Sequence, residues 1–459
     1  MSTFDVLDPA DGSVIGSVPD ASVEDAHAAL DRAVAAQVGW AATPPRERGE
    51  ILRRAFEMVT ERADEFARTI SREMGKPFAE ARGEVTYGAE FLRWFSEEAV
   101  RIRGSWLAAP GGGSRLLTVK KPVGPCLFVT PWNFPLAMGT RKIGPAIAAG
   151  CTMIIKPASA TPLTTILLAE VLAEAGLPDG VLQVLTSRSS REVTAALMGD
   201  PRLRKISFTG STGVGKGLVA QSAQNLQRVS MELGGNAPFL VFDDADIDAA
   251  VDGAMVAKMR NMGEACTSAN RFLVQAGVAR EFTEALAGRM ADLTLGRGLD
   301  EGVDVGPLID ADAVAGVHEL VTDAVARGAT VVTGGEEPDG NFYQPTVLAG
   351  VPADARITRE EIFGPVAAVT TFETEEEAVA MANDTEYGLA SYLYTADLDR
   401  TLRLVESLAF GMVGVNTGLV SNPAAPFGGV KASGFGREGG FEGIEEYLDT
   451  TYVGIAAHG

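Results

Sequence analysis

The runs VGPCLFVTP at residues 123–131, TMIIKP at residues 152–157 and KISFTG at residues 205–210 determine the fold that this sequence predicts. Each run is short and apolar, and each is followed by a segment whose apolar residues repeat near the helical period. Buried strands that alternate with helices are typical of a parallel sheet covered by helices on both faces. A second series begins with APFLVFDDADIDAAVDGAM at residues 237–255, where the aspartates suit the start of a helix. The sequence therefore predicts an α/β fold with two doubly wound α/β domains.

The segments outside these two series have different patterns. Residues 23–100 repeat apolar side chains at the helical period and predict a run of helices. In GSWLAAPGGGSRLLTVKKPVG, residues 104–124, Gly and Pro surround an alternating stretch, which predicts a projecting hairpin. The segment IEEYLDTTYVGI at residues 444–455 predicts a closing edge strand. Such a hairpin and tail could pair with each other or across subunits.

The composition limits the class of protein. The chain has 459 residues, 46% of them hydrophobic, which is enough for two or three domains. Its formal net charge of −22 argues against binding to nucleic acid or to an anionic membrane surface. Cys126, Cys151 and Cys266 are odd in number and lack metal-ligand spacing, so we expect a reduced, cytoplasmic protein without a metal site. No signal peptide and no apolar run of membrane-spanning length are visible.

A glycine-rich turn follows the third apolar run. KISFTGSTGVGKG places Gly210, Gly213 and Gly215 between a strand and a helix, a geometry that directs backbone N–H groups towards an anion. The glycine spacing differs from the G-x-G-x-x-G dinucleotide fingerprint. The turn also resembles a Walker A loop, but Gly217 occupies the position of the magnesium-binding hydroxyl. A phosphate site and a tight turn without a ligand are both compatible with this stretch.

Two further turns carry polar side chains at the ends of predicted strands. Lys156 and Ser159 follow the strand in IIKPASATP, at the carboxyl edge where α/β sheets bind ligands. Lys156 could pair with a phosphate or hold ribose hydroxyls, or it could be a solvated lysine. Asn133 lies between prolines in TPWNFP, where its amide could stabilise an oxyanion or serve ordinary turn chemistry.

Cys266 in NMGEACTSANRF is the candidate nucleophile, and it needs a base. The chain has only three histidines: His27 and His318 lie in amphipathic helical patterns, and His458 is the penultimate residue. A carboxylate is therefore the better candidate for the base, and Glu232 in SMELGGNAPFLVF precedes a pair of glycines where a carboxylate could face a cavity. Cys266 as a small buried apolar residue and Glu232 as a surface residue are the structural alternatives.

Taken together and in order, seven motifs of this chain resemble the aldehyde dehydrogenase superfamily. They are TPWNFP at 130–135, IIKPAS at 154–159, FTGSTGVG at 208–215, MELGG at 231–235, GEAC at 263–266, EEIFGPV at 360–366 and PFGGVKASGFGREGG at 426–440. The resemblance extends from about residue 4 to the end of the chain, and the motifs have family-like spacing. It implies oxidation of an aldehyde to an acid through a cysteine thioester, with hydride transfer to a nicotinamide cofactor.

The resemblance implies a role for each matching residue. Cys266 would be the nucleophile, Glu232 the general base, and Asn133 with the Cys266 backbone N–H the oxyanion hole. Glu438 in GREGG matches a second glutamate that assists proton relay. The residues expected to hold the cofactor are Thr130, Trp132, Lys156, Ser159, Gly210, Ser211, Gly215, Glu361 and Phe363.

The substrate expected from the resemblance is a semialdehyde, most of all succinate semialdehyde. Arg141 and Arg260 match positions at which succinate-semialdehyde dehydrogenases bind the substrate carboxylate, and Ser421 would add a hydrogen bond. Structural ion pairs are the alternative for both arginines. The chain departs from the subgroup at Glu264, a carboxylate that would raise the pKa of the Cys266 thiol if it faced it. Ser268 occupies the position of a second cysteine, so the redox-switch disulfide of some relatives is absent.

Ser159 determines the expected cofactor. NAD-preferring relatives often have Glu at this position, and a carboxylate there repels a 2′-phosphate. Ser159 beside Lys156 removes that repulsion, so we expect preference for NADP, with NAD possible.

By resemblance, residues 1–103 and 123–235 form the cofactor-binding domain and residues 236–430 the catalytic domain. Residues 104–122 and 431–459 form a small β oligomerisation element, and we expect a homodimer or homotetramer. Rival hypotheses are the same chemistry on another semialdehyde or aminoaldehyde, such as glutarate semialdehyde, a P-loop nucleotide hydrolase, and a non-catalytic relative. The P-loop hypothesis is weakened by Gly217 and by the lack of an acidic partner.

Overall fold

The computed structural model describes residues 2–336 and 339–456. The helices are α1 Val23–Ala42, α2 Pro45–Glu61, α3 Ala63–Met74, α4 Phe78–Glu98, α5 Ala137–Ala149, α6 Leu163–Glu174, α7 Ser190–Gly199, α8 Thr212–Ser222, α9 Ile247–Met259, α10 Ala279–Ala291, α11 Ala311–Ala326, α12 Glu375–Asn383, α13 Leu398–Ser407 and α14 Glu442–Glu445. The strands are β1 Ser2–Leu7, β2 Val14–Asp20, β3 Trp106–Ala108, β4 Ser114–Pro122, β5 Cys126–Val129, β6 Met153–Lys156, β7 Leu182–Val184, β8 Lys205–Thr209, β9 Arg228–Glu232, β10 Ala237–Val241, β11 Ala269–Gln275, β12 Thr330–Thr333, β13 Thr346–Ala349, β14 Val366–Phe372, β15 Ala390–Tyr394, β16 Met412–Val415, β17 Gly434–Phe435 and β18 Leu448–Ala456.

The three apolar runs form the centre of a six-stranded sheet. Its order is β17-β9-β8-β5-β6-β7, and every strand pair is parallel except β17 with β9. β5, β6 and β8 are buried along almost their whole length, because helices cover both faces. The carboxyl ends of these strands therefore share one edge, where the predicted phosphate, lysine and glutamate sites follow β8, β6 and β9.

A seven-stranded sheet forms the second α/β unit. Its order is β12-β13-β14-β11-β10-β15-β16, and only the edge pair β12–β13 is antiparallel. The aspartate cluster before α9 begins that helix as expected, since the Asp246 side chain accepts a hydrogen bond from the Ala249 N–H. The prediction of two doubly wound α/β units is confirmed.

The N-terminal helices pack on the first sheet. α2, α4 and α5 contribute to one large apolar core around Phe91 and Phe95, together with side chains of β5 and β6. α1 begins with a capping box, in which Ser22 and Asp25 bond each other's backbone N–H groups. The antiparallel pair β1–β2, which precedes these helices, was not predicted.

The hairpin and the tail pair with each other. β18 runs antiparallel to β4 from Leu448 opposite Pro122 to Ala456 opposite Ser114, and β3 completes a three-stranded sheet. β17, which lies in the segment predicted as oligomerisation element, instead pairs with β9 in the six-stranded sheet. The domain boundaries given above remain predictions.

In the described part of the chain, no helix is both long enough and apolar enough to cross a membrane. His27 and His318 lie on α1 and α11, as their patterns indicated, and His458 lies outside the described residues.

Candidate active site

The nucleophile segment leaves α9 through a short left-handed turn. Asn261 and Met262 have φ of 58° and 57°, and Gly263 follows with φ of 80°. A Cβ at residue 263 would overlap the Gly364 carbonyl group. The turn therefore requires glycine at 263, and it brings Cys266 against the EEIFGPV loop, which contains Gly364.

The half-buried Glu80 and the buried Lys258 fix this turn. The Glu80 carboxylate accepts a hydrogen bond of 2.9 Å from the Asn261 N–H. The Lys258 ammonium group donates to Asn270 Oδ1 at 3.1 Å and to the Gly364 carbonyl at 3.2 Å. Hydrogen bonds from charged groups are among the stronger ones in a buried site, so the turn is held at both ends.

Asn133 and the nucleophile segment meet at one carbonyl oxygen. Asn133 Nδ2 donates to the Glu264 carbonyl at 2.9 Å, and Asn261 Nδ2 donates to the same oxygen at 2.8 Å. An amide nitrogen carries two protons, so the second N–H of Asn133 remains available. Among the described residues the Cys266 backbone N–H has no acceptor. These two donors are the components of the predicted oxyanion hole.

A buried ion pair binds the backbone carbonyl of Asn133. Lys76 Nζ lies 2.6 Å from Glu84 Oε2, both side chains are fully buried, and Lys76 also donates to the Asn133 carbonyl at 2.8 Å. Glu84 Oε1 accepts from the Leu136 N–H, just before α5 begins. The pair thereby ties α4 to the Asn133 turn.

The Cys266 thiol is protonated in the resting structure. Burial raises its pKa to about 12, although the residue as a whole is partly exposed. The positive charges of Arg141 and Arg260 lower the pKa, and the negative charges of Glu361 and Glu232 raise it. A thiol with so high a pKa needs a base before it can attack a carbonyl carbon.

Glu232 is the predicted base. It ends β9 and is only 2% exposed, and neither carboxyl oxygen has a hydrogen-bond partner in the described residues. Burial raises its pKa well above the usual range, and the neighbouring charge of Glu438 raises it further. A buried carboxylate with a raised pKa is suited to accept and release protons near neutral pH.

Glu438 lies in a buried cluster of charges. Its carboxylate is 2.5 Å from Arg141 Nη2 and 2.5 Å from Lys142 Nζ, and Lys142 also donates to Thr209 Oγ1. Burial would raise the pKa of Glu438, but Arg141 and Lys142 outweigh it and hold the pKa below its usual value. Its role in proton relay stays a prediction. Lys142, which the sequence analysis missed, had no signal except its position beside Arg141.

Arg141 is already paired with a carboxylate. Its guanidinium stacks on the Phe427 ring at 3.8 Å and is 1% exposed. The structural alternative of an ion pair therefore holds for Arg141 in this conformation. Its charge still acts on both Cys266 and Glu232.

Arg260 is placed differently. It lines a cleft of about 620 Å³, in which it is the only cation among the described lining residues. Its guanidinium lies over the rings of Phe134 and Tyr87, and Nη1 is 3.5 Å from Ser421 Oγ. The lining residue Phe134 packs against Ala265, next to Cys266, so the cleft borders the segment that contains the predicted nucleophile.

The expected effect of Glu264 on the nucleophile depended on its carboxylate facing the thiol. Its Oε1 instead accepts a hydrogen bond of 3.2 Å from the Ile309 N–H. The side chain therefore points towards the loop that precedes α11. Burial raises the pKa of Glu264 well above its usual range.

The first group of predicted cofactor residues lies at the carboxyl edge of the six-stranded sheet. Lys156 ends β6 and is 3% exposed, and its ammonium group makes no hydrogen bond or ion pair with another described residue. Burial lowers its pKa to about 8. Thr130 follows β5 and donates its N–H to the Lys156 carbonyl. A buried, unpartnered ammonium group at this edge fits an anionic or polyhydroxyl ligand.

The turn after β8 provides a second anion-binding feature. Ser211 is the N-cap of α8, and its side chain makes no capping hydrogen bond. The first N–H groups of α8 are thus open to a phosphate. At Gly210 and Gly215 a Cβ would overlap Phe208 and Leu233, respectively. Both glycines are therefore required by packing as well.

The second group surrounds the EEIFGPV loop. Trp132 packs edge-to-face on Phe363 with ring centroids 5.4 Å apart, and Phe363 has φ of 51°. Glu361 Oε1 accepts from the Gly235 N–H at 3.1 Å, and burial raises its pKa to about 7. Ser159 is half-buried in the turn after β6. All nine predicted cofactor residues thus lie at the edge of the first sheet or on the loop that faces it.

The chain is similar to known proteins over nearly its whole length. The model of the aldehyde dehydrogenase family matches residues 1–453. A succinate-semialdehyde dehydrogenase of Paenarthrobacter nicotinovorans is 61% identical over 445 residues, which are 96% of this chain and 99% of that protein. A glutarate-semialdehyde dehydrogenase of Pseudomonas putida is 51% identical, over 99% of this chain and 94% of that protein. The crystal structure of an Escherichia coli NADP-dependent enzyme superposes with a TM-score of 0.98 at 50% identity, over 99% of this chain and 95% of that one.

The raised pKa of Cys266 predicts how fast the cofactor-free protein is alkylated. Because only the thiolate reacts, and because the thiol pKa is about 12, we expect the rate with iodoacetamide to rise about tenfold per pH unit from pH 6.5 to 9.5. Mass spectrometry of the Cys266 peptide measures it. Cys266→Ser is the control, since Cys126 and Cys151 are buried and should not react. A rate that levels off below pH 9 would contradict the account.

Proposed function

This chain is a member of the aldehyde dehydrogenase family, and we propose that it oxidises succinate semialdehyde to succinate with NADP. The observation that carries the substrate assignment is Arg260, which is the only cation among the described residues of a cleft that borders the Cys266 segment. The carboxylate of the substrate would bind this guanidinium, and the aldehyde group would reach Cys266.

The reaction begins with the thiol. Glu232 takes the proton of the Cys266 thiol, and the sulfur then forms a bond with the aldehyde carbon. The carbonyl oxygen becomes an alkoxide that accepts hydrogen bonds from the second N–H of Asn133 and from the Cys266 N–H. A fixed donor of this kind contributes roughly 3–4 kcal/mol to the stability of the transition state.

When bound, NADP supplies a nicotinamide ring that accepts the hydride released from the aldehyde carbon. Loss of the hydride restores the carbonyl group and leaves a thioester on the Cys266 sulfur. Once Glu232 has released the thiol proton to solvent, it removes a proton from a water molecule, and the resulting hydroxide attacks the thioester carbon. The carbon–sulfur bond breaks, the acid leaves and ionises to succinate, and the sulfur regains a proton from Glu232.

The residues present fit the cofactor. The open N–H groups at the start of α8 suit the pyrophosphate, and Lys156 has no other partner. Glu361 would hold the ribose beside the nicotinamide, while Trp132 and Phe363 would fix the loop position. Ser159 places no carboxylate near Lys156, which supports NADP, with NAD as a weaker alternative.

Glutarate semialdehyde is the second candidate substrate. It has the same two functional groups separated by one more carbon, and a relative 51% identical to this chain has the name of a glutarate-semialdehyde dehydrogenase. One methylene in a pocket changes selectivity by only about 10–200-fold, so both substrates could be used.

The three-stranded sheet supports a homodimer or homotetramer. By register, Trp106, Val119 and Ile455 lie on one face of this sheet, and their exposed fractions are 60%, 37% and 41%. Such an apolar face on exposed strands is typical of subunit contacts. The free thiols of the three cysteines support a reducing, cytoplasmic location.

The function is tested by a nicotinamide absorbance assay. We expect wild-type protein to turn over succinate semialdehyde with NADP faster than with NAD, and much faster than butanal, which lacks the carboxylate. Arg260→Ala should lower kcat/KM for succinate semialdehyde by about a hundredfold, because a charge-assisted pair is lost, and should change the value for butanal by less than about threefold. The exposed Arg289→Ala is the matched control.

If Arg260→Ala lowers kcat/KM equally for both aldehydes, Arg260 has a structural role and does not bind the substrate carboxylate. The substrate assignment would then lose its support. Higher kcat/KM with NAD would overturn the cofactor preference. Failure to oxidise any aldehyde would overturn the whole proposal.

The subunit contact is tested by sedimentation velocity. We expect wild-type protein to sediment as a dimer or tetramer of 48.0 kDa chains, and Trp106→Glu to shift it to smaller species, since a charge is then buried at the contact. Val38→Glu, on the exposed side of α1, should change nothing. A monomeric wild-type protein would contradict this assignment.

A further inference from the structure

A second cavity adjoins the predicted phosphate site. It has a volume of about 490 Å³ and lies between α7 and α8. Its apolar wall includes Val129, Phe208, Val214 and Leu218. Val129 ends β5 and pairs in register with Lys156, so the cavity is at the same sheet edge as the unpartnered lysine. Flat apolar walls beside a phosphate site suit the base and sugar of a nucleotide.

Among the described residues that line this cavity, Arg191 is the only one with a charged side chain. In the described residues its guanidinium has no hydrogen bond and no ion pair, unlike those of nearby arginines. Arg188 is paired with Asp20 at 3.1 Å, and Arg202 is paired with Asp200 at 2.7 Å. A free guanidinium at a cavity is notable in a chain with a net charge of −22, where carboxylates are abundant.

The surroundings of Arg191 favour an anion. α7 begins at Ser190, and its N-cap Ser189 makes no side-chain capping bond, so the helix presents open N–H groups there. Ser190 and Thr194 line the cavity with Arg191, while the acidic neighbour Glu192 does not. β6 and β7 are parallel neighbours, so the turns that follow them, with Lys156 and with α7, are at one edge.

We propose that Arg191 binds the 2′-phosphate of NADP and contributes to the selection of NADP over NAD. This inference rests on the proposed function, which places a nicotinamide dinucleotide along this edge. With the pyrophosphate at the start of α8, the adenosine end lies in the cavity. A phosphate on its ribose then meets the planar, bidentate donors of Arg191 on one side and Lys156 on the other.

Isothermal titration calorimetry with 2′,5′-ADP and 5′-AMP tests this assignment without turnover. The two compounds differ only in the 2′-phosphate. We expect Arg191→Ala to weaken 2′,5′-ADP binding by about tenfold or more, and 5′-AMP binding by less than about twofold. Arg188→Ala is the matched control: it removes a charge three residues away that is already engaged by Asp20, and it should change neither affinity.

The possible failures can be told apart. If wild-type protein binds 2′,5′-ADP no better than 5′-AMP, the proposed NADP preference fails. If wild-type protein binds 2′,5′-ADP more tightly than 5′-AMP, and Arg191→Ala has the same ratio of the two affinities, the role of Arg191 fails and the proposed function stands. Two results would contradict a selective contact with the 2′-phosphate. One is that Arg191→Ala weakens the binding of both compounds equally. The other is that Arg188→Ala weakens the binding of 2′,5′-ADP as much as Arg191→Ala does.

The kinetic readout should agree with the binding data. Arg191→Ala should lower kcat/KM for NADP by a similar factor and leave the value for NAD nearly unchanged. Arg191→Lys should recover part of the NADP value, since the charge returns without the planar fork. A thermal unfolding curve equal to that of wild type establishes that the exposed substitution leaves the fold intact.

Discussion

The hydrogen bonds received by the Glu264 carbonyl oxygen join the two halves of the active site. Asn133 belongs to the turn after β5 of the six-stranded sheet, whereas Asn261 and Glu264 belong to the segment before β11 of the seven-stranded sheet. The predicted nucleophile and the oxyanion donor Asn133 lie on segments next to different sheets. The proposed reaction therefore requires the carboxyl edges of the two sheets to keep a fixed relative position. Lys76 and Lys258 are buried cations that hold the two sides of this junction.

The electrostatics of the site follow from which buried charges are paired. Glu438 has two cations and stays ionised, and Glu84 has Lys76. Among the described residues the Glu232 carboxyl has no hydrogen-bond partner, and burial raises its pKa. An unpaired buried carboxyl destabilises the fold, but the proposed mechanism needs such a group to exchange a proton with the thiol and later with water.

Local patterns in the sequence were sufficient to predict much of this structure. The apolar runs identified β5, β6 and β8, and the residues that follow them, Lys156 among them, could be placed at one sheet edge because parallel strands share it. The family resemblance is confirmed, and so is the α/β fold. The directions of side chains could not be predicted from the sequence. Glu264 is two residues from Cys266 but bonds the Ile309 N–H. Arg141 pairs with Glu438, which lies almost 300 positions later in the chain. Arg191 belongs to no motif, and only the tertiary packing of α7 beside α8 brings it to a cavity.

The central claim is that Cys266 carries the acyl group and Glu232 provides the base for its hydrolysis. Rapid mixing of Glu232→Gln with NADP and succinate semialdehyde, followed by acid quench and peptide mass spectrometry, tests it most directly. The account predicts that Cys266 is acylated slowly, because the thiol has lost its base, and that the succinyl group then stays on the Cys266 peptide until hydroxylamine removes it. At most a single equivalent of reduced cofactor forms. Steady turnover without an adduct, or an adduct on any other residue, would contradict it.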